Sequence, residues 1–184
     1  MSQGRFQDEN KTISEFRTDV LVVCSKCEKK AFAKVNYEDN SARLFCENCG
    51  YNKQKTTEVS VFGHRGNWQL SANSYFDAEL WLKTPFKNDV FFAYNLSHLE
   101  YLEKYISANL REHKDRSHFT LLEKLPRFYH EAKNREALLK LIMKLKNKIW
   151  YNIICCSDNF LFCHNVLTFV WNDISQTKKK LDTL

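Results

Sequence analysis

Residues 24–27 read Cys-Ser-Lys-Cys and residues 46–49 read Cys-Glu-Asn-Cys, so two C-x2-C pairs are separated by 18 residues. Two residues between cysteines allow a tight turn to aim both sulfurs at one point, and a hairpin can bring two such turns together. The spacing therefore predicts one structural Zn²⁺ bound by Cys24, Cys27, Cys46 and Cys49. The alternative is two pairs of reduced, buried thiols.

The same motif argues against catalysis. Four protein ligands leave no open position on the metal for a reactive water. The chain has only four glycines and shows no glycine-rich phosphate loop. No acid–base pair or nucleophile stands out either, so we expect a protein that is not an enzyme and has no small-molecule substrate.

Composition limits the class of protein. The 184 residues are 43% hydrophobic and 14% aromatic, which is enough for a folded core and excludes wholesale disorder. The first 14 residues contain no apolar segment of the kind that a secretory signal needs, and no apolar stretch reaches the roughly 20 residues of a membrane span. We expect a cytoplasmic protein without membrane contact, in which the seven cysteines are reduced or bind metal.

The hydrophobic pattern predicts an α+β fold with an N-terminal zinc ribbon, a short antiparallel β meander and about three helices. The predicted organisation is a polar arm (1–17), a zinc-ribbon module (18–62), an α+β domain with a basic C-terminal helix (63–150) and an apolar, cysteine-containing tail (151–184). Strands are expected over 31–37, 42–45, 56–62, 79–83 and 90–94, with a loop over 63–74 and a turn over 84–89 that includes Pro85. Helices are expected to begin at Asn95, Thr120 and about Asn134.

Positive charge is concentrated in two segments. The net charge is +6, with +3 in residues 21–55 and +5 in residues 96–150. The last predicted helix is the best candidate for a phosphate-contacting stripe, and its simpler interpretation is a solvated helix face. The residues of this stripe are Arg135, Lys140, Lys144, Lys146 and Lys148.

The C-terminal tail contains a weaker cluster. Cys155, Cys156, Cys163 and His164 could form a second metal site, although buried thiols in an apolar tail are the simpler interpretation. A nucleophilic arrangement of Cys156, His164 and Asp158 is chemically conceivable, but no pattern fixes its geometry.

Several motifs outside the cysteines support a resemblance. They are Leu80-Trp81-Leu82-Lys83-Thr84-Pro85, Ala93-Tyr94-Asn95-x-x-His98-Leu99, Leu125-Pro126 and Ala132-Lys133-Asn134-Arg135. With the double C-x2-C hairpin they resemble a family of small bacterial proteins that have an N-terminal zinc ribbon of the transcription-factor-IIB type and a helical C-terminal part. The resemblance spans about residues 20–148, and the tail from Trp150 departs from it. It implies the same four zinc ligands and an immunity role beside a bacterial toxin.

Two function classes remain open from the sequence. The first is a protein-binding module, with a toxin as a possible partner, which needs only a rigid surface with a few anchor residues. The second is a nucleic-acid-binding or transcription-related accessory that uses the ribbon and the lysine-rich helix. A charge of +6 with 22 interspersed acidic residues is low for a dedicated phosphate binder, which favours the protein-binding class.

Overall fold

The structure, a computed structural model, describes residues 5–112 and 120–154. The chain divides into two compact units, residues 1–146 and 147–184, and the described part of the second unit is residues 147–154. The described residues form a mixed α+β fold. In chain order its elements are β1 Arg5–Gln7, β2 Asp19–Val23, β3 Lys30–Asn36, β4 Ser41–Phe45, β5 Asn52–Thr56, β6 Glu58–Val61, β7 His64–Asn67, β8 Leu82–Phe86, β9 Asp89–Ala93, α1 Leu96–Ser107, β10 Leu110–Glu112 and α2 Arg135–Ile154.

Strands β2, β3, β4 and β5 form an antiparallel sheet in that order, which we call the N-terminal sheet. Side chains alternate between its two faces, and one face is buried. The predicted strands over 31–37 and 42–45 are confirmed as β3 and β4. The strand expected over 56–62 is wrong, because residues 52–56 pair with β4 and residues 58–61 pair with β7. The buried face is formed by Val20, Val22, Ala31, Ala33, Val35, Ala42 and Leu44.

The edge of β2 that faces away from β3 forms backbone hydrogen bonds with a later part of the chain. The Leu21 amide donates to the Tyr94 carbonyl at 2.8 Å, and the Trp81 amide donates to the Leu21 carbonyl at 2.9 Å. The Val23 amide donates to the Glu79 carbonyl at 2.8 Å. Backbone hydrogen bonds therefore cross the predicted boundary at residue 62.

Two hairpins lie between the N-terminal sheet and α1. The predicted loop over 63–74 contains β7, which pairs with β6 through a two-residue turn at Phe62 and Gly63. The second hairpin, β8–β9, turns at Lys87 and Asn88 rather than across residues 84–89, so Pro85 lies within a strand. Proline is tolerated there because a two-stranded hairpin consists of edge strands.

The start of α1 is confirmed at Asn95. The Asn95 side chain accepts a hydrogen bond from the His98 amide at 2.9 Å, as an N-cap residue does. Its amide group also donates to the carbonyls of Phe16 at 3.0 Å and Asp19 at 2.8 Å. This one side chain therefore joins α1 to the chain entering β2.

The described residues contain two α-helices, and the helix expected at Thr120 is not among them. The capping pattern is partly formed, since the Thr120 amide donates to Glu123 at 3.3 Å. The 3-10 turn Leu122–Lys124 ends there, because Pro126 forces Leu125 into an extended conformation. Two further 3-10 turns, Arg127–Tyr129 and Ala132–Asn134, lead to α2. The last predicted helix is confirmed, and α2 begins at Arg135.

The polar N-terminal arm is packed where it is described. Strand β1 pairs in parallel with β10, and Phe6 and Phe16 are buried. Asp8 is buried too and accepts a hydrogen bond from the Tyr101 hydroxyl at 2.7 Å. The polar composition of residues 1–17 gives no indication that Phe6 and Phe16 are buried. Neither α-helix of the described residues is long and apolar enough to cross a membrane.

Candidate metal centre

Four cysteine side chains meet at one end of the N-terminal sheet. Cys24 directly follows β2 and Cys46 directly follows β4, while Cys27 and Cys49 lie in the turns that lead into the next strands. The Sγ atoms of Cys24 and Cys49 are 3.7 Å apart, and those of Cys27 and Cys46 are 3.6 Å apart. All four sulfurs lie within 4.8 Å of one another. We call this group the four-cysteine cluster.

The two cysteine turns have the same backbone hydrogen bonds. In the first, the Cys24 amide donates to the Lys29 carbonyl and the Glu28 amide donates to the Cys24 carbonyl, at 2.8 and 2.9 Å. In the second, the Cys46 amide donates to the Tyr51 carbonyl at 2.8 Å, and an amide four residues further along donates back to Cys46 at 3.0 Å. The repeated pattern explains why both C-x2-C motifs present their sulfurs to a common point.

Both turns also need a left-handed residue after the second cysteine. Gly50 has φ +71° and Glu28 has φ +56°. Glycine adopts this conformation without steric cost, whereas a residue with a Cβ atom does not. Glu28 is thus the strained member of an otherwise equivalent pair.

Additional donors point at the sulfurs. The Lys26 amide donates to Cys24 Sγ at 3.4 Å, and the Asn48 side-chain amide donates to Cys27 Sγ at 3.5 Å. A hydrogen bond of this kind favours the thiolate form over the thiol. These contacts orient the sulfurs and partly offset the negative charge that a cluster of thiolates accumulates.

The surroundings of Cys27 and Cys46 shift the pKa values of these two thiols in opposite directions. Hydrogen bonding from the backbone of Lys29 lowers the pKa of Cys27 to about 7. Burial raises the pKa of Cys46 to about 12. At neutral pH the metal-free cluster therefore keeps a proton on Cys46, which a bound cation must displace.

The donor set fits a tetrahedral metal ion. Zn–S bonds of about 2.3 Å set the edge of an ideal sulfur tetrahedron at about 3.8 Å. The observed sulfur separations of 3.6 and 3.7 Å are close to that edge. Four close cysteines could thus hold one metal ion, as the sequence predicts.

Arg135 and Lys146 of the basic stripe of α2 are held by contacts within the protein, whereas Lys140 and Lys144 are largely exposed. Lys140 pairs with Glu136 at 2.7 Å, and Lys146 pairs with Glu103 of α1 at 2.5 Å. Arg135 donates to the Ala108 carbonyl at 3.0 Å and to the Asn109 side chain. Lys144 is exposed, and Lys148 lies in α2 within the second unit. A phosphate at Lys146 would compete with Glu103, whereas the exposed pair of Lys140 with Glu136 is weak and would exchange at little cost.

The predicted cluster of the C-terminal tail cannot be placed, whereas His98, a residue of one of the resemblance motifs, can. Cys155, Cys156, Asp158, Cys163 and His164 lie outside the described residues. His98 is described and almost fully buried, between the rings of Phe16 and Tyr94 at 4.8 and 5.6 Å. Its Nδ1 accepts from the Tyr94 amide at 3.2 Å, and burial lowers its pKa to about 4. This environment holds His98 as a neutral structural residue.

Sequence reasoning missed one exposed feature. Phe62, at the tip of the β6–β7 hairpin, has 97% of its surface exposed and a φ of +50°. Gly63 follows with φ +81°, so both turn residues are left-handed, as a type I′ turn requires. The Phe62-Gly63 pair could have indicated this turn, but the usual first residue is Asn or Asp, and the phenylalanine made the segment resemble the end of a strand.

No family model, no curated protein and no solved structure matches the chain. The resemblance to zinc-ribbon proteins therefore depends on the four-cysteine cluster and the quoted motifs.

Proposed function

We propose that the chain is a zinc-ribbon protein that acts by binding a protein partner, with one Zn²⁺ as a structural element and no catalytic step. The all-sulfur donor set supports the metal assignment, because four cysteines are one of the usual ligand sets of structural zinc and leave no coordination position for water or substrate. Cys24 and Cys46 are buried within the core of the N-terminal sheet, so the ion would be part of that core.

Phe62 is the observation that supports a binding role. Placing a non-glycine residue in the left-handed region costs about 1–2 kcal/mol, and Asn would cost less at this position. Among the described residues the phenyl ring gains almost nothing from burial, because it is 97% exposed. An exposed residue in a strained backbone conformation is typical of a functional position.

The chemistry of the tip favours a protein as the partner. An aromatic side chain on a rigid hairpin can fill a pocket on another protein, and aromatic residues are the most common anchors of such interfaces. Exposed His64 and Arg65 follow the Phe62-Gly63 turn and would provide a polar rim beside the ring. A toxin is the partner that the family resemblance suggests, and it is the first candidate to test.

Photo-crosslinking from the hairpin tip tests the proposal. p-Benzoylphenylalanine replaces Phe62 in the cells that make the protein, and the matched control carries it at Val90, another exposed apolar position on a hairpin. We expect one defined crosslinked protein from position 62, lost when an excess of unlabelled wild-type protein competes. Identical products from both positions, or none from position 62, would contradict the proposal.

Phe62→Asn separates binding from folding. This substitution should raise the free energy of unfolding by about 1 kcal/mol, because Asn fits the turn better. The Phe62→Asn variant should also fail to compete in the crosslinking assay. A loss of stability would instead show that Phe62 has a structural role.

A further inference from the structure

The two outer edges of the N-terminal sheet differ in what covers them. The β2 edge is bonded to the backbone of Glu79, Trp81 and Tyr94. Strand β5 is the other outer strand, and within the described part of the chain no strand or backbone hydrogen bond reaches its far side. All five residues of β5 are exposed. We call the far side of β5 the open edge.

The backbone of β5 alternates between groups bonded to β4 and groups that point to the open edge. In an antiparallel pair, every second residue exchanges its hydrogen bonds with the residue opposite. At the two ends of β5, the Cys46 amide donates to the Tyr51 carbonyl at 2.8 Å and the Thr57 amide donates to the Asn40 carbonyl at 3.0 Å. These bonds assign the odd-numbered residues of β5 to β4. The amides and carbonyls that point to the open edge therefore belong to Asn52, Gln54 and Thr56.

Side chains hold β5 in place from both faces of the sheet. On one face, Arg43 Nε donates to Asn52 Oδ1 at 3.0 Å. On the other face, Lys55 Nζ donates to the Tyr75 carbonyl at 2.6 Å. An extended chain that pairs with the open edge thus meets a strand that is already ordered, which reduces the entropy cost of binding.

The open edge is also positively charged. Lys53 and Lys55 lie opposite Leu44 and Ala42 of β4, so both lysines are on the core side of the sheet. Strand β5 contains no acidic residue, and neither lysine forms an ion pair with a described carboxylate. Both positive charges are therefore available to a chain that lies beside β5.

We propose that an extended, acidic segment of a partner protein binds the open edge as a fifth strand of the N-terminal sheet. Its backbone would pair with the outward amides and carbonyls of β5, and carboxylates at alternate positions would lie beside Lys53 and Lys55. The proposal adds the chemistry of the partner at a surface other than Phe62, and it rests on the proposed function in requiring a protein partner.

The two lysines disfavour a second copy of the chain at the same edge. If two β5 strands paired antiparallel about Gln54, Lys53 of each copy would lie opposite Lys55 of the other. Like charges directly opposite each other are destabilising, whereas glutamates in those positions are attracted. The residues that block self-association therefore select an acidic strand.

A nuclear magnetic resonance titration of the full-length, metal-loaded protein tests the proposal. The probe is a peptide of alternating glutamate and threonine, about 10 residues long, which covers the length of an ordinary strand. We expect the amides of Asn52, Gln54 and Thr56 to shift on binding and to become protected from hydrogen exchange. The amides of Lys53 and Lys55 are already bonded to β4, so their exchange should change little.

Variants of β5 separate backbone pairing from charge. Gln54→Pro removes one outward amide without removing a bond to β4, and proline is tolerated on an edge strand. It should weaken peptide binding about 2- to 13-fold, the usual effect of one hydrogen bond, whereas the matched control Gln54→Ala keeps the amide and should bind like wild type. Lys53→Gln should weaken binding about 1.4- to 5-fold. The double variant Lys53→Glu, Lys55→Glu should instead prefer a peptide of alternating lysine and threonine, and this reversal tests the proposal even if the proline variant does not fold.

Phe62→Asn should leave peptide binding unchanged, so failure of this proposal and failure of protein docking at Phe62 are distinguishable. The proposal is overturned if the acidic peptide leaves the outward amides of β5 unaffected, or if Gln54→Pro binds as tightly as Gln54→Ala. It is also overturned if wild type binds the basic peptide or oligo(dT) at the open edge as tightly as the acidic peptide, or if the outward amides are protected by self-association alone.

Discussion

The two cysteine turns have the same backbone conformation but differ in whether the left-handed residue is a glycine. We therefore expect Glu28→Gly to stabilise the protein. Glu28 and Gly50 occupy equivalent positions, with φ +56° and +71°. Relief of the left-handed strain at Glu28 is worth about 1–2 kcal/mol. The added freedom of glycine in the unfolded chain costs about 0.4–1 kcal/mol. The net gain is therefore about 1 kcal/mol, or about 2–4 °C in Tm for a protein of this size.

The reverse substitution gives the opposite sign. A Cβ atom at Gly50 would meet no other heavy atom within 4 Å, so Gly50→Ala introduces backbone strain without a steric clash. It should lower the free energy of unfolding by about 1 kcal/mol. Urea unfolding of the metal-loaded variants, followed by far-ultraviolet circular dichroism, measures both values.

A charge control is needed because Glu28 lies beside a cluster of thiolates. Glu28→Gln removes the charge and retains the strained backbone, so it should recover little of the gain seen with glycine. The reasoning is refuted if Glu28→Gly is neutral or destabilising, if Gly50→Ala is harmless, or if the Gln and Gly variants are stabilised equally.

Three further predictions concern other parts of the molecule. Cys46→Ser should abolish stoichiometric zinc in elemental analysis and unfold the N-terminal sheet, because metal binding worth about 10–16 kcal/mol in small zinc domains exceeds typical domain stability. His98 has a folded-state pKa of about 4, below its ordinary value of 6.5, so its contribution to stability is complete above pH 6.5 and is lost as the pH falls towards 4. It amounts to about 3 kcal/mol, and His98→Asn should flatten that part of the pH profile of urea unfolding relative to wild type. Asn134 is buried and donates to the Phe128 carbonyl at 3.1 Å, so Asn134→Ala should cost about 2–3 kcal/mol in the same assay, whereas exposed Lys144→Ala should change stability by less than about 0.5 kcal/mol.

The four cysteines of the candidate metal centre were predictable from the sequence because their spacing follows a strong local rule. The C-x2-C spacing constrains both turns, and the structure brings all four sulfurs together. The Asn95 cap and the start of α2 were likewise predictable, because capping residues and a 3.6-residue period act locally.

The parts that were missed depend on tertiary contacts. Strand β1 is three residues long and pairs with β10 more than 100 residues away, so no local pattern marks it. The turn at Phe62 and Gly63 lacks its usual Asn, which left β7 assigned to a loop. Pro85 favours a turn by its local preference, but the hairpin turns two residues later, at Lys87 and Asn88. Exposure of Phe62 and the open edge of β5 become visible only once the strands are paired.

The bonded edge of β2 determines how this protein can be dissected. A fragment ending at residue 62 would lose the backbone hydrogen-bond partners of Leu21 and Val23. The β2 edge of its metal-bound sheet would then be unpaired and could pair with other copies of the fragment. Such a fragment would tend to self-associate, and a fusion protein that contained it would have the same tendency. The smallest transferable piece of the molecule therefore includes the segment through Tyr94, which protects that edge.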